Sequence, residues 1–170
     1  MEVDTELFGS IIEFSIGLTG FAGLVAVFLK RASLLQAVEK FRIVSLIVIS
    51  ISPAFLSFLA ISLDRLLPAS STAVRTSCAV MAAYLVVLLW RAILARKRFS
   101  RSEDEQINQT FFLIMSVIGF GNIIFQIAAS LGAFGSQTFT VFYIGLVILL
   151  GMGVSQFVLS IIVGFTASES

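Results

Sequence analysis

Polar and apolar positions along this chain alternate on the scale of whole segments, not of single turns. Five apolar stretches, residues 7–29, 43–63, 72–93, 111–133 and 139–164, are joined by short polar connections. A helix that crosses a bilayer needs about 20 apolar residues, and each stretch meets that requirement. The strands of a membrane barrel would instead alternate over about 10 residues. Continuous runs such as Leu85-Val86-Val87-Leu88-Leu89 do not alternate. Backbone groups in lipid must be paired within their own segment, so these spans predict helices. The expected fold is an all-α integral membrane protein: one domain over residues 1–170, a bundle of five transmembrane helices.

Composition sharpens this by exclusion. The chain is 58% hydrophobic and 12% charged, whereas an ordinary soluble domain carries about 25% charged residues. Little soluble mass remains. There is no room for a nucleotide-binding domain and no Gly-rich phosphate loop with its Lys, which argues against active pumping by this chain alone. The N-terminus Met1-Glu2-Val3-Asp4-Thr5-Glu6 is acidic and is followed by a full-length apolar stretch. A secretory signal has a basic start and a shorter core, so the first helix is expected to be retained.

Basic residues give an orientation. The first connection holds Lys30, Arg31, Lys40 and Arg42, and the third holds Arg91, Arg96, Lys97, Arg98 and Arg101. The second holds only Arg65 and Arg75. By the positive-inside rule, the first and third connections are cytoplasmic, the N-terminus is outside and the C-terminus is cytoplasmic. Trp90, beside Arg91, suits an interfacial anchor. The run Arg96-Lys97-Arg98 reads as a topology determinant or a contact for anionic lipid, with no nucleic-acid partner. Two capping boxes, Ser33-Leu34-Leu35-Gln36 and Ser102-Glu103-Asp104-Glu105, predict helix starts in these connections. The first would open a short amphipathic interfacial helix bearing Leu34, Leu35, Val38 and Phe41. Asn108-Gln109-Thr110 fits a glycosylation pattern but falls on the cytoplasmic side.

The polar residues within spans are the candidate chemistry. Glu13 is the only carboxylate well inside a span, where a charge costs about 2.5–3.5 kcal/mol even on insertion scales. The first helix also carries a bulky stripe, Phe14, Leu18, Phe21, Val25 and Phe28, expected to face lipid. Its small faces, Gly9/Gly17/Gly20 with Glu13 and Ser15/Thr19/Gly23, are expected to pack against other helices. A rise of 1.5 Å per residue puts Glu13, Gln126 and Ser57 in one layer of the outer half. A Glu13–Gln126 hydrogen bond is therefore expected, with Ser57 nearby. Asn122, Gln126 and Ser130 form a polar stripe on the fourth helix, and Gln156 and Ser160 another on the fifth. Such stripes line a pathway or bond helix to helix. Pro53 predicts a kink in the second helix, with Ser50, Ser52 and Ser57 available to the carbonyl it frees. Gly151-Met152-Gly153 predicts close packing or a thinly covered backbone.

Histidine is absent and Cys78 is the only cysteine. No metal site, no cofactor and no intrachain disulfide are expected. One carboxylate without a paired base does not make a catalytic site, so the chain is expected not to be an enzyme. No internal repeat stands out, which disfavours an inverted-repeat transporter. Two functions remain. One is a passive channel or transporter-like homo-oligomer using Glu13, Asn122 and Gln126. The other is a non-catalytic accessory or scaffolding subunit of a larger membrane complex. The short loops suit a bacterial inner (plasma) membrane.

Overall fold

The computed structural model describes residues 5–31, 37–67, 69–97 and 109–166. It is helical throughout: α1 (Thr5–Arg31), α2 (Ala37–Leu66), α3 (Ser70–Arg96), α4 (Gln109–Ser130), a short 3₁₀ turn at Gly135–Gln137, and α5 (Thr138–Thr166). No strand occurs among the described residues. All five helices are long and apolar enough to cross a membrane. Both capping boxes and Arg98 lie outside the described residues.

The helices run up and down, so the starts of α2 and α4 meet the ends of α3 and α5. This end carries Lys40, Arg42, Arg91, Arg96 and Lys97, and is called the basic end below. α2 is the central element, packed against α1, α3 and α5, while α4 closes the bundle against α3 and α5. The core is filled by Phe8, Leu56, Met81, Phe142, Leu146 and Leu149. Outside, Phe55, Phe58, Val86, Val87, Val117 and Phe120 are exposed on three different helices. Soluble proteins rarely expose apolar surface on this scale, and the belt marks an integral membrane protein.

The expected fourth span overshoots. α4 stops at Ser130 because Gly132 adopts φ 86°, a left-handed conformation that only glycine takes without strain. The closing carbonyls are satisfied by Leu131 N–H to Ile127 O (3.1 Å), Gly132 N–H to Ala129 O (3.0 Å) and Ala133 N–H to Ala128 O (3.0 Å). The Arg75 guanidinium lies against Gly132: its Nη2 is 2.8 Å from where a Cβ would stand. That sets a cation at the negative end of the α4 dipole.

α2 continues as one helix through Pro53. The serines do not serve the carbonyl that Pro53 frees, which is that of Ile49. The Ser52 hydroxyl donates instead to Val48 O, and Tyr84 Oη of α3 approaches Ser52 Oγ at 2.6 Å. With the Ser52 proton engaged, Tyr84 is the donor of that second bond. Ser50 and Ser57 are buried with no partner.

α1 is held to α5 by aromatic contacts. Phe8 meets Phe139 and Phe142 edge-on, with ring centroids 5.7 Å and 6.1 Å apart. Phe8 is thus the anchor of α1, and Phe8→Ala is expected to lower stability by about 3 kcal/mol or more. Thermal unfolding in detergent or nanodiscs measures the loss. A change within error would remove Phe8 from that role.

Candidate functional site

α1 follows expectation only in part: Phe14 and Phe21 are exposed and Ser15 is buried, but Leu18 faces inward and the Glu13 face outward. It buries Phe8, Ile11, Ile12, Ser15, Leu18 and Ala22, a stripe at helical spacing. Leu18, expected to face lipid, is only 8% exposed. The outward face is instead Ser10, Glu13, Gly17, Gly20 and Leu24, with Phe14 and Phe21 along one flank. The physical reason lies on α5. A Cβ on Gly153 would stand 3.2 Å from Leu18 Cδ2 and 3.3 Å from Ser50 Oγ. The missing side chain opens the hole that Leu18 fills, so the close-approach glycine belongs to α5 and α1 supplies the knob. Gly9, Gly17 and Gly20 have no neighbour within 4 Å of a would-be Cβ. Gly151, also on α5, is likewise open.

Glu13 therefore does not meet Gln126. It is exposed on α1, and α1 packs on α2 and α5. Gln126 is fully buried on the far side of α5. The shared depth inferred from helical rise says nothing about azimuth, and the two side chains point to different neighbours. The Glu13 carboxyl has no partner among the described residues.

Asn122 and Gln126 act together, as expected of an i, i+4 pair. Gln126 Nε2 donates to Asn122 Oδ1 (3.2 Å) and to Val141 O (3.1 Å), and Asn122 Nδ2 donates to Gly145 O (3.1 Å). The pair clamps α4 to the backbone of α5. Gly145 makes this geometry available: a side chain there would collide with Gln126 Nε2, with Met81 Cε at 2.7 Å and with Asn122 Oδ1 at 2.8 Å. Gly145 carried no signal of its own in the sequence. Only its register opposite the amides reveals it. Ser130 leaves the stripe, its hydroxyl donating to Ile127 O at 2.7 Å.

The remaining candidates sit apart. Ser57 is buried on α2 without a partner, as are Ser15, Ser50 and Gln126 Oε1. Gln156 is half-buried near the basic end and lines a cavity there, with Ser160 Oγ donating to its carbonyl at 2.8 Å. Arg42, read from sequence only as a topology determinant, lines the same cavity. Among the described residues no group of His, Cys, Asp or Glu could hold a metal ion, and Cys78 is a buried free thiol.

The clamp makes a separable prediction. Gly145→Val drives a side chain into both amides and is expected to destabilise the chain by about 1–3 kcal/mol, as overpacking does. Gln126→Leu removes two hydrogen bonds and is expected to cost less, about 0.6–1.7 kcal/mol, the range of interhelical bonds in membranes. Unfolding of both variants in the same detergent gives the ranking. The reverse order would mean that Gly145 does not accommodate the clamp.

The chain matches no protein-family model, no curated protein and no solved structure.

Proposed function

We propose that this chain is a passive, cation-conducting homo-oligomer of a bacterial inner (plasma) membrane. In this reading the outward faces of α1 meet around a shared axis. The basic end is cytoplasmic, the N-terminus outside and the C-terminus inside, as the positive-inside rule requires. The observation that carries the reading is Glu13: an ionisable side chain on the outward face of α1, within the apolar span Glu6–Val27. A lone chain would press that carboxyl into hydrocarbon, at a cost a neighbouring polar surface removes.

The same face is otherwise small. Ser10, Gly17 and Gly20 let another backbone come close. A symmetric assembly repeats Glu13 once per chain, which makes a ring of carboxyls, a recurrent cation-selecting device. The reading puts the path between chains, because inside one chain Asn122 and Gln126 are engaged with α5 and the bundle centre is filled by Phe8, Leu56, Met81 and Phe142.

Gly17→Leu and Glu13→Gln separate assembly from conduction. A leucine at residue 17 starts from a Cβ that meets nothing within the chain. Its expected effect is a shift from a defined homo-oligomer to monomer, read by native mass spectrometry. Glu13→Gln is expected to keep the assembly and to lower potassium flux into proteoliposomes roughly tenfold, the effect of about 1.4 kcal/mol on ion entry. A monomeric wild-type protein, or flux unchanged by Glu13→Gln, would overturn the proposal. Recovery only in complex with a different chain would support an accessory subunit instead.

A further inference from the structure

A cavity of about 160 Å³ lies among the basic-end halves of α2, α3, α4 and α5. An apolar protein cavity of about 150 Å³ already accepts a benzene-sized molecule. Among the described residues, none of α1 lines it. Its walls are graded. The deep end is core: Leu85, Ile123 and Leu149. Toward the basic end the wall carries Arg42, Ser45, Gln156 and Ser160, with Ser116 on α4 between the two zones. Phe112 completes the basic side, with the Arg96 guanidinium 4.8 Å over its ring.

Three polar groups of this wall have no hydrogen-bond partner among the described residues. Many helical serines and threonines in this chain donate to the carbonyl four residues back, as Ser10, Thr19, Ser62, Thr76, Ser77, Ser155 and, in this wall, Ser160 do, while Ser15, Ser50 and Ser57 are buried without a partner. Ser45 and Ser116 do not, and neither they nor the Gln156 side-chain amide has a hydrogen-bond partner among the described residues. Three unused donors face one partly open space whose floor is apolar and whose rim is cationic.

We infer that this cavity binds one anionic phospholipid, with an acyl chain on Leu85, Ile123 and Leu149 and the phosphate held by Arg42 with Gln156. Three features select that occupant. An apolar floor takes a hydrocarbon chain and repels a free polar solute. The rim charge favours an anion: Arg42 lies in the wall, and Lys40, Arg91, Arg96 and Lys97 occupy the same end. The polar-to-apolar gradient runs along the helix axes, the direction in which a lipid lies in its leaflet. The site is independent of the α1 face and stands whether or not the chain assembles.

Gly119 supplies the test, since a Cβ there meets only Met152 Cε at 3.9 Å, an ordinary contact. Gly119 lines the cavity, so Gly119→Leu puts a side chain where the wall is bare backbone. The full chain is reconstituted in vesicles of equal parts phosphatidylglycerol and phosphatidylethanolamine. It is then released in mild detergent, and its retained lipid is read by native mass spectrometry. Wild type is expected to keep one phosphatidylglycerol per chain. Gly119→Leu is expected to lose it with its melting profile otherwise retained. Arg42→Gln is expected to weaken retention roughly tenfold, as loss of one charge-assisted contact does, and to abolish the preference over phosphatidylethanolamine. Equal retention by wild type and Gly119→Leu, or equal retention of the two lipids by wild type, would overturn the inference.

Discussion

Everything in this molecule depends on the requirement that backbone N–H and C=O groups in hydrocarbon find partners within their own segment. That requirement makes each apolar stretch a helix before any tertiary contact forms. It also removes the usual driving force for packing, because lipid tails are as apolar as the core they would leave. What remains to arrange the helices is shape and a small number of polar bonds. The structure uses both at glycines. Gly153 admits Leu18 from α1, and Gly145 admits the Asn122 and Gln126 amides from α4. Each is a place where α5 presents bare backbone to a neighbour, which is why α5 contacts all four other helices.

Two sets of polar side chains have different consequences. Asn122, Gln126, Ser52 and Tyr84 are committed to interhelical bonds, and they tie α4 to α5 and α2 to α3. Glu13, Ser45, Ser116 and the Gln156 amide are not committed. A partnerless polar group in an apolar phase is costly, and on an exposed face or in an open cavity a group from outside the chain can answer it. Glu13 stands on one outward helix face, and the other three share one cavity.

These two places are structurally separate. α1 lies over α2 and α5 and none of its described residues lines the cavity, while α3 and α4 build its other walls. A partner docked on α1 would therefore leave the cavity mouth uncovered, and a lipid in the cavity would leave Glu13 untouched. The buried hydroxyls of Ser15, Ser50 and Ser57 belong to neither place. Ser50 lies beside Gly153 of α5, where its small volume serves close packing.

The five spans, the helical class and the inventory of intramembrane polar residues were all legible in the sequence, because they follow from segment length, apolarity and backbone pairing. So was the partnership of Asn122 with Gln126, since i, i+4 neighbours share a face whatever surrounds them. Azimuth was not legible. Periodicity placed the Phe14/Leu18/Phe21 stripe toward lipid and the small residues with Glu13 inward; Phe14 and Phe21 do face out, but Leu18 is buried and Glu13 exposed, a rotation that periodicity alone does not reveal. The choice was made by Gly153, more than a hundred residues away, whose hole accepts Leu18 and so turns Glu13 outward. The same holds for Glu13 and Gln126, which share a depth and yet belong to different neighbours. Depth is a property of one helix and can be counted along the chain. Facing is a property of pairs of helices, and only their packing decided it.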